Sequence, residues 1–267
     1  MPRLRLVISY VGTDYCGWQT QATKKAPHPP TVQEILETEI SRICCEKINL
    51  IGSGRTDSGV HAAAQNAHCD IPESKLNLDW QMALNTSLPR DIRIISASYV
   101  EDTFHARNSA IAKAYDYRLW TDRRYTPPWL YPFVWDCGPL DLAAMDAAIP
   151  HLVGTHDFSA VQNAGTDLKT TTRTLFSIDR TGPDGGDPML VLRFKANGFL
   201  KQMVRNLTGL LVACGRGKFD PAAIPALLES RDRRRAPVTA PPRGLCMAEV
   251  IYPDGIREIP TRKVKTG

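Results

Sequence analysis

The run Gly52-Ser53-Gly54-Arg55-Thr56-Asp57-Ser58-Gly59-Val60-His61-Ala62 places one carboxylate, with an arginine two residues before it, in backbone that three glycines leave free of side-chain bulk. Glycine lets the main chain take positive φ or lie close against a ligand. In extended chain Arg55 and Asp57 leave the same face, so a guanidinium would stand beside the carboxylate and keep it ionised. An ionised, oriented carboxylate suits a nucleophile or an electrostatic stabiliser better than a general acid. The same residues also fit an Asx-turn carrying a surface ion pair of little energetic worth.

Two further segments carry chemistry. In Lys113-Ala114-Tyr115-Asp116-Tyr117 the lysine and both tyrosines share one strand face, a pattern that serves stacking of an unpaired base and contact with phosphate. A half-buried sheet face with a snorkelling lysine reads the same way. In the apolar helix after Asn197-Gly198-Phe199-Leu200, Arg205 requires either a carboxylate partner or a place at the helix edge reaching solvent. Arg107 and the cluster Arg231, Arg233, Arg234, Arg235 are candidate phosphate contacts, the cluster equally a solvated helix end.

The elements that must position these groups follow a repeated plan. Leu4, Leu6 and Ile8 alternate against Arg3, Arg5 and Val7 as a strand. Thr31-Val32-Gln33-Glu34 forms a capping box, and Val32, Ile35, Leu36, Ile40 and Ile43 continue at helical spacing. A short strand over 48–51, a weak one over 65–71, a helix over 78–88 and a strand over 92–100 complete a β-α-β-β-α-β order. The second half repeats it. A strand covers 110–120, a Pro- and aromatic-rich loop 121–140, and a helix 141–152. A hairpin of 173–180 with 189–196 follows, then an amphipathic helix over 201–215. Asp220 and Pro221 open a short helix, and a last strand covers 245–252. The expected class is α+β: two ferredoxin-like (split βαβ) units, residues 1–107 and 108–267, joined into a continuous mainly antiparallel sheet with helices on one side and an active-site cleft between them.

The bulk numbers fit. With 267 residues the chain can hold one large domain or two smaller ones. Its 43% hydrophobic and 23% charged content are those of a soluble globular protein, and a net charge of +5 permits an RNA partner without demanding one. Seven scattered cysteines without a C-x-x-C pair indicate neither a zinc ribbon nor a disulfide framework. His61, His68 and Cys69 match no familiar metal spacing. No apolar run suggests a signal peptide or membrane span, so a cytoplasmic, reducing setting is expected.

Taken together these residues resemble the tRNA pseudouridine synthase A family nearly end to end. The resemblance runs through Tyr10-Val11-Gly12-Thr13 with Gly17-Trp18-Gln19, Thr31-Val32-Gln33 with Leu36-Glu37, Gly52 to Ala62, and Leu84-Asn85 with Leu88-Pro89. It continues through Phe104 to Arg107, Lys113-Ala114-Tyr115, Gly154 to Phe158, Gly198-Phe199-Leu200 with Met203-Val204-Arg205, and Ala240-Pro241-Pro242 before Gly244-Leu245. Ser53 and Ser58 stand where that family often has alanine, and the 121–140 loop matches poorly.

The resemblance implies a homodimer without metal or organic cofactor that converts uridine to pseudouridine at positions 38 to 40 of the tRNA anticodon arm. It implies Asp57 as the catalytic aspartate, Tyr115 as the base-stacking tyrosine and Leu245 as the apolar residue packing the base. Arg205 would pair with the aspartate, and Arg55 would hold the target nucleotide out of its stack. Lys113 and Arg107 remain phosphate contacts. A non-catalytic RNA-binding protein and a nucleoside glycosidase are the alternatives such residues leave open.

Overall fold

A computed structural model describes residues 1–19, 29–163 and 170–261. The chain is of the α+β class and forms two compact units. Residues 1–111 and the chain from Met247 onward form the first, and Ala112–Cys246 the second. The boundary expected at 107/108 therefore falls four residues later, and the C-terminal segment returns to the first unit.

In the first unit β1 (Arg3–Tyr10) is followed by α1 (Val32–Cys44), β2 (Ile51–Gly52), β3 (His61–Asp70), α2 (Trp80–Ser87) and β4 (Ile92–Val100). β1 pairs antiparallel with both β3 and β4, and β2 pairs antiparallel with β3, giving the order 4-1-3-2 of a split βαβ unit. The alternation in β1 translates directly into burial, since Leu4, Leu6, Ile8 and Tyr10 lie in the core. On α1 the buried residues are Val32, Leu36, Ile40 and Cys44, one stripe at a spacing of four. The capping box is complete: Glu34 N–H donates to Thr31 Oγ1 at 3.2 Å, and Thr31 N–H to Glu34 Oε2 at 2.8 Å. The strand expected over 48–51 is confined to β2, and the one over 65–71 starts earlier, at His61.

The second unit runs β5 (Ala112–Trp120), β6 (Trp135–Asp136), α3 (Leu142–Ala148), β7 (Gly154–Asp157), β8 (Thr172–Thr181), β9 (Met189–Ala196), α4 (Met203–Gly215) and α5 (Ile224–Ser230). β5, β9, β8 and β7 form an antiparallel sheet in that order, and β6 adds to β5 in parallel. α4 buries Leu207, Leu210 and Leu211. The strand β10 (Leu245–Ile251) spans the boundary between the units, and β11 (Ile259–Pro260) pairs with β4. Neither β7 nor β11 is evident from sequence pattern, and the 121–140 loop contains β6 and a 3₁₀ turn at Tyr131–Phe133. Among the described residues no helix is long and apolar enough to cross a membrane.

Candidate active site

Asp57 sits where the chain leaves the loop after β2 and turns into β3. The Val60 N–H donates to the Asp57 carbonyl at 3.1 Å, closing a four-residue turn. Its third residue, Gly59, has φ +79, the left-handed geometry a type II turn requires there. The loop is tied down on both flanks. Ser53 N–H donates to Asn66 O at 2.7 Å, the Ser53 hydroxyl to Gln65 Oε1 at 2.7 Å, and Gln65 Nε2 to Gly54 O at 2.8 Å. Ser53 is fully buried, so its hydroxyl is a structural tie between loop and strand.

The segment after β1 clasps the other flank. Trp18 N–H donates to Thr56 O at 3.1 Å, Tyr10 OH and Thr56 Oγ1 share a buried hydrogen bond of 2.7 Å, and Ser58 Oγ donates to Tyr15 O at 3.1 Å. His61 Nδ1 accepts from Gly12 N–H at 3.0 Å, so this imidazole braces the loop base. His68 is likewise occupied, its Nδ1 accepting from Ala106 N–H at 3.1 Å. The result is a half-buried carboxylate on backbone held at Ser53, Gly54, Thr56, Asp57 and Val60, the preorganisation a reacting group needs.

Arg55 departs from its expected geometry. Its exposed guanidinium donates from Nε to Gln19 Oε1 at 2.5 Å, and no ion pair joins it to Asp57 among the described residues. Residues 55–57 are not a strand: the chain is drawn toward Tyr10 and Trp18 at Thr56 and turns at Asp57. Arg107 is exposed, at a turn where the Arg107 and Asn108 N–H groups both donate to His105 Nδ1 at 3.2 Å.

In the second unit Lys113 and Tyr115 lie on β5. Tyr115 is 8% exposed and meets Phe199 edge-to-face, centroids 5.1 Å apart at 84°. Phe199 lies in the Asn197-Gly198-Phe199-Leu200 segment, 84 residues from Tyr115, and no local spacing announces that it buttresses the tyrosine. Tyr117, expected on the same stacking face, is fully buried instead. Its OH donates to Pro241 O at 2.6 Å, and burial pushes the phenol far up, so it is a packing residue.

Arg205 lies in the first turn of α4, where its Nε–H donates to Ala240 O at 2.8 Å and its own carbonyl accepts from Ala240 N–H at 3.1 Å. Leu245 is buried at the start of β10. The arginine cluster divides. Arg233 donates to Ala236 O, Pro237 O, Asn206 Oδ1 and Thr239 Oγ1, which makes it a structural hub. Arg231 pairs with Asp157 at 3.1 Å and Arg234 with Asp232 at 2.8 Å, while Arg235 is exposed.

A family model described as tRNA pseudouridine synthase matches residues 6–108 and 148–253. The chain is 53% identical over 256 residues to the tRNA pseudouridine synthase A of Lawsonia intracellularis, covering 94% of this chain and 100% of that one. It is 48% identical over 277 residues to that of Nitratidesulfovibrio vulgaris strain Miyazaki F, covering 94% and 100%. To the Myxococcus xanthus protein of the same name it is 39% identical over 256 residues, covering 96% and 94%. Matches of this extent, through the segments that build and brace the aspartate turn, place the chain in the tRNA pseudouridine synthase family of isomerases.

Proposed function

We propose that this chain isomerises uridine to pseudouridine at positions 38 to 40 of the tRNA anticodon arm, with Asp57 opening the glycosidic bond. The observation that carries the reading is the aspartate turn itself, a half-buried carboxylate on a turn fixed by Trp18 N–H on Thr56 O, Val60 N–H on Asp57 O and the hydrogen bond shared by the Tyr10 and Thr56 hydroxyls. In the route favoured here a carboxylate oxygen attacks the anomeric carbon and the bond to uracil N1 breaks, its electron pair leaving with the ring. The uracil turns, C5 attacks the anomeric carbon, the carboxylate departs, the C5 proton passes to a base, and N1 takes up a proton. Atoms and electrons balance without redox chemistry.

The remaining residues have roles that follow from their chemistry. Tyr115, held by Phe199, stacks the detached base, and Leu245 packs it without polar contacts that would lock one orientation. Arg55 holds the nucleotide out of its stack, where unstacking costs a few kcal/mol. Arg205 orients the aspartate, and Lys113 and Arg107 take phosphate. The chain works as a homodimer in the cytoplasm, and light scattering of the purified protein checks the dimer.

The deciding experiment uses bulk tRNA carrying uridine tritiated at ring position 5. The proposal requires tritium release with the base still joined to RNA, and pseudouridine at 38 to 40 in carbodiimide-blocked primer extension. Asp57→Asn should bind tRNA as before and release no tritium. Release by that variant in a single turnover removes Asp57 from the mechanism, and an abasic product marks a glycosidase instead.

A further inference from the structure

A cavity of about 520 Å³ opens beside the aspartate loop, in the size range of small-ligand sites, with Gly52 and Gln19 in its wall. The chemistry above makes no use of it beyond Arg107. Its lining, all within the first unit, also contains Glu37, Gln33, Asn49 and His105. It thus combines one carboxylate, one guanidinium and several amides, the groups that read a base edge and a phosphate together.

Glu37 is the one carboxylate of this lining. It stands one turn after Gln33 on α1, and its Oε1 accepts from Leu50 N–H at 2.8 Å and from Gln33 Nε2 at 2.8 Å. Gln33 Nε2 also donates to Leu50 O at 3.0 Å, so amide and carboxylate lock each other against the chain entering β2. Both lone pairs of Oε1 are engaged, which leaves Oε2 as the acceptor for a ligand. The two lone pairs of that single oxygen can accept from two adjacent donors on one base edge. Guanine offers N1–H beside its 2-amino group, whereas uracil flanks its one N–H with two carbonyls, and adenine and cytosine set an acceptor nitrogen beside the amine. Arg107, exposed in the same lining, supplies the phosphate partner. Gln19 links the cavity to the catalytic loop, since its Oε1 accepts from Arg55.

We propose that this cavity takes a guanine nucleotide of the tRNA near the target uridine, its donor edge on Glu37 and its phosphate on Arg107. The proposal rests on the reading that Asp57 acts on tRNA. Glu37 thereby helps decide which uridine is presented.

The test replaces each guanosine of an anticodon stem-loop transcript in turn by inosine, which lacks the 2-amino group, and measures affinity and pseudouridine formation. At one position wild-type affinity should fall about tenfold, the size of one hydrogen bond to a charged group. Glu37→Gln, which keeps an oxygen for Leu50 N–H, should bind the parent transcript about tenfold more weakly and show no further loss with inosine. Arg107→Ala, at an exposed position, should weaken binding and flatten its salt dependence, whatever Glu37→Gln does to the fold. No inosine-sensitive position, unchanged sensitivity in Glu37→Gln, or unchanged affinity in Arg107→Ala overturns the proposal. So does competition by free guanosine monophosphate without any effect of the RNA substitutions. If pseudouridine forms normally in transcripts insensitive to inosine, the cavity assignment falls alone. If it forms in no transcript, the reading of Asp57 falls.

Discussion

Gly17 lies with its α-carbon against the backbone of Asp57. A β-carbon at Gly17 would stand 2.9 Å from the Asp57 carbonyl carbon and 2.4 Å from Thr56 O. Gly17 also has φ +80, which disfavours any side chain. The glycine therefore sets how closely the clasping segment approaches the Asp57 turn, and with it where the carboxylate stands.

Gly17→Ala should separate the clasp from the turn. Left-handed strain costs about 1–2 kcal/mol, and the clash with the carbonyls adds to it. Since the contact involves the loop and not the sheet core, the expected outcome is a fold that survives with turnover down more than tenfold. Thermal unfolding and single-turnover tritium release, measured on the same preparation, check both halves. Activity at the wild-type level would mean that the clasp does not position Asp57.

What could be seen in the sequence is what depends on neighbours along the chain. The capping box at Thr31 and the cap at Asp220 each need only a side-chain oxygen and an N–H two or three residues on, and both form. The helix expected from 201 starts at Met203, because Gln202 sits in left-handed backbone (φ 59) without a side-chain cap, a geometry its residue type does not announce. β7 has four residues and no alternation, and it becomes a strand only by pairing with β8. Periodicity put Tyr115 and Tyr117 on one face correctly but cannot report depth. Pro241 and Gly244, over a hundred residues away, close over Tyr117. Arg55 shows the reverse: its guanidinium goes to Gln19 Oε1, 36 residues away, a partner that no local spacing announces.

Tyr10→Phe removes the hydroxyl that shares the buried 2.7 Å hydrogen bond with Thr56 Oγ1. Thr56 is itself buried and loses that partner. A loss of about 1–2 kcal/mol in stability is expected, with a larger proportional effect on turnover than on tRNA affinity, because the bond braces the residue next to Asp57. Denaturant titration and the ratio of kcat to Kd read the two effects. Equal loss in both would place Tyr10 in substrate binding.

His68 predicts a pH dependence of stability. It is 2% exposed, and burial, with Arg3 nearby as the next cause, holds its pKa down to about 4. The unfolded chain binds this proton near pH 6.5 and the folded chain does not. Stability is therefore fully present above about pH 6.5 and is lost as pH falls toward 4. Protonation would also remove the Nδ1 acceptor used by Ala106 N–H. The contribution is of order ~2–3 kcal/mol. Unfolding curves at pH 7.5 and 5.0 should differ by most of it, and His68→Gln should remove the difference. A wild-type curve flat across that range would contradict it.

The division within the arginine cluster gives opposite expectations for two neighbours. Among the described residues Arg233 donates five hydrogen bonds of 2.9–3.3 Å, to Ala236, Pro237, Asn206, Thr239 and Asn163, and its burial lowers the guanidinium pKa. Arg233→Ala leaves those acceptors with fewer donors in a partly buried place, so a loss of about 2–4 kcal/mol is expected. Arg235 is exposed, and its side chain makes none of these bonds. Arg235→Ala should leave the unfolding midpoint within measurement error. If Arg235 meets phosphate, tRNA affinity should fall severalfold and the salt dependence of binding should drop by about one phosphate contact. Thermal melts and binding isotherms at two salt concentrations separate the two variants. A stable Arg233→Ala with weakened RNA binding would return that residue to the RNA surface and dissolve the distinction.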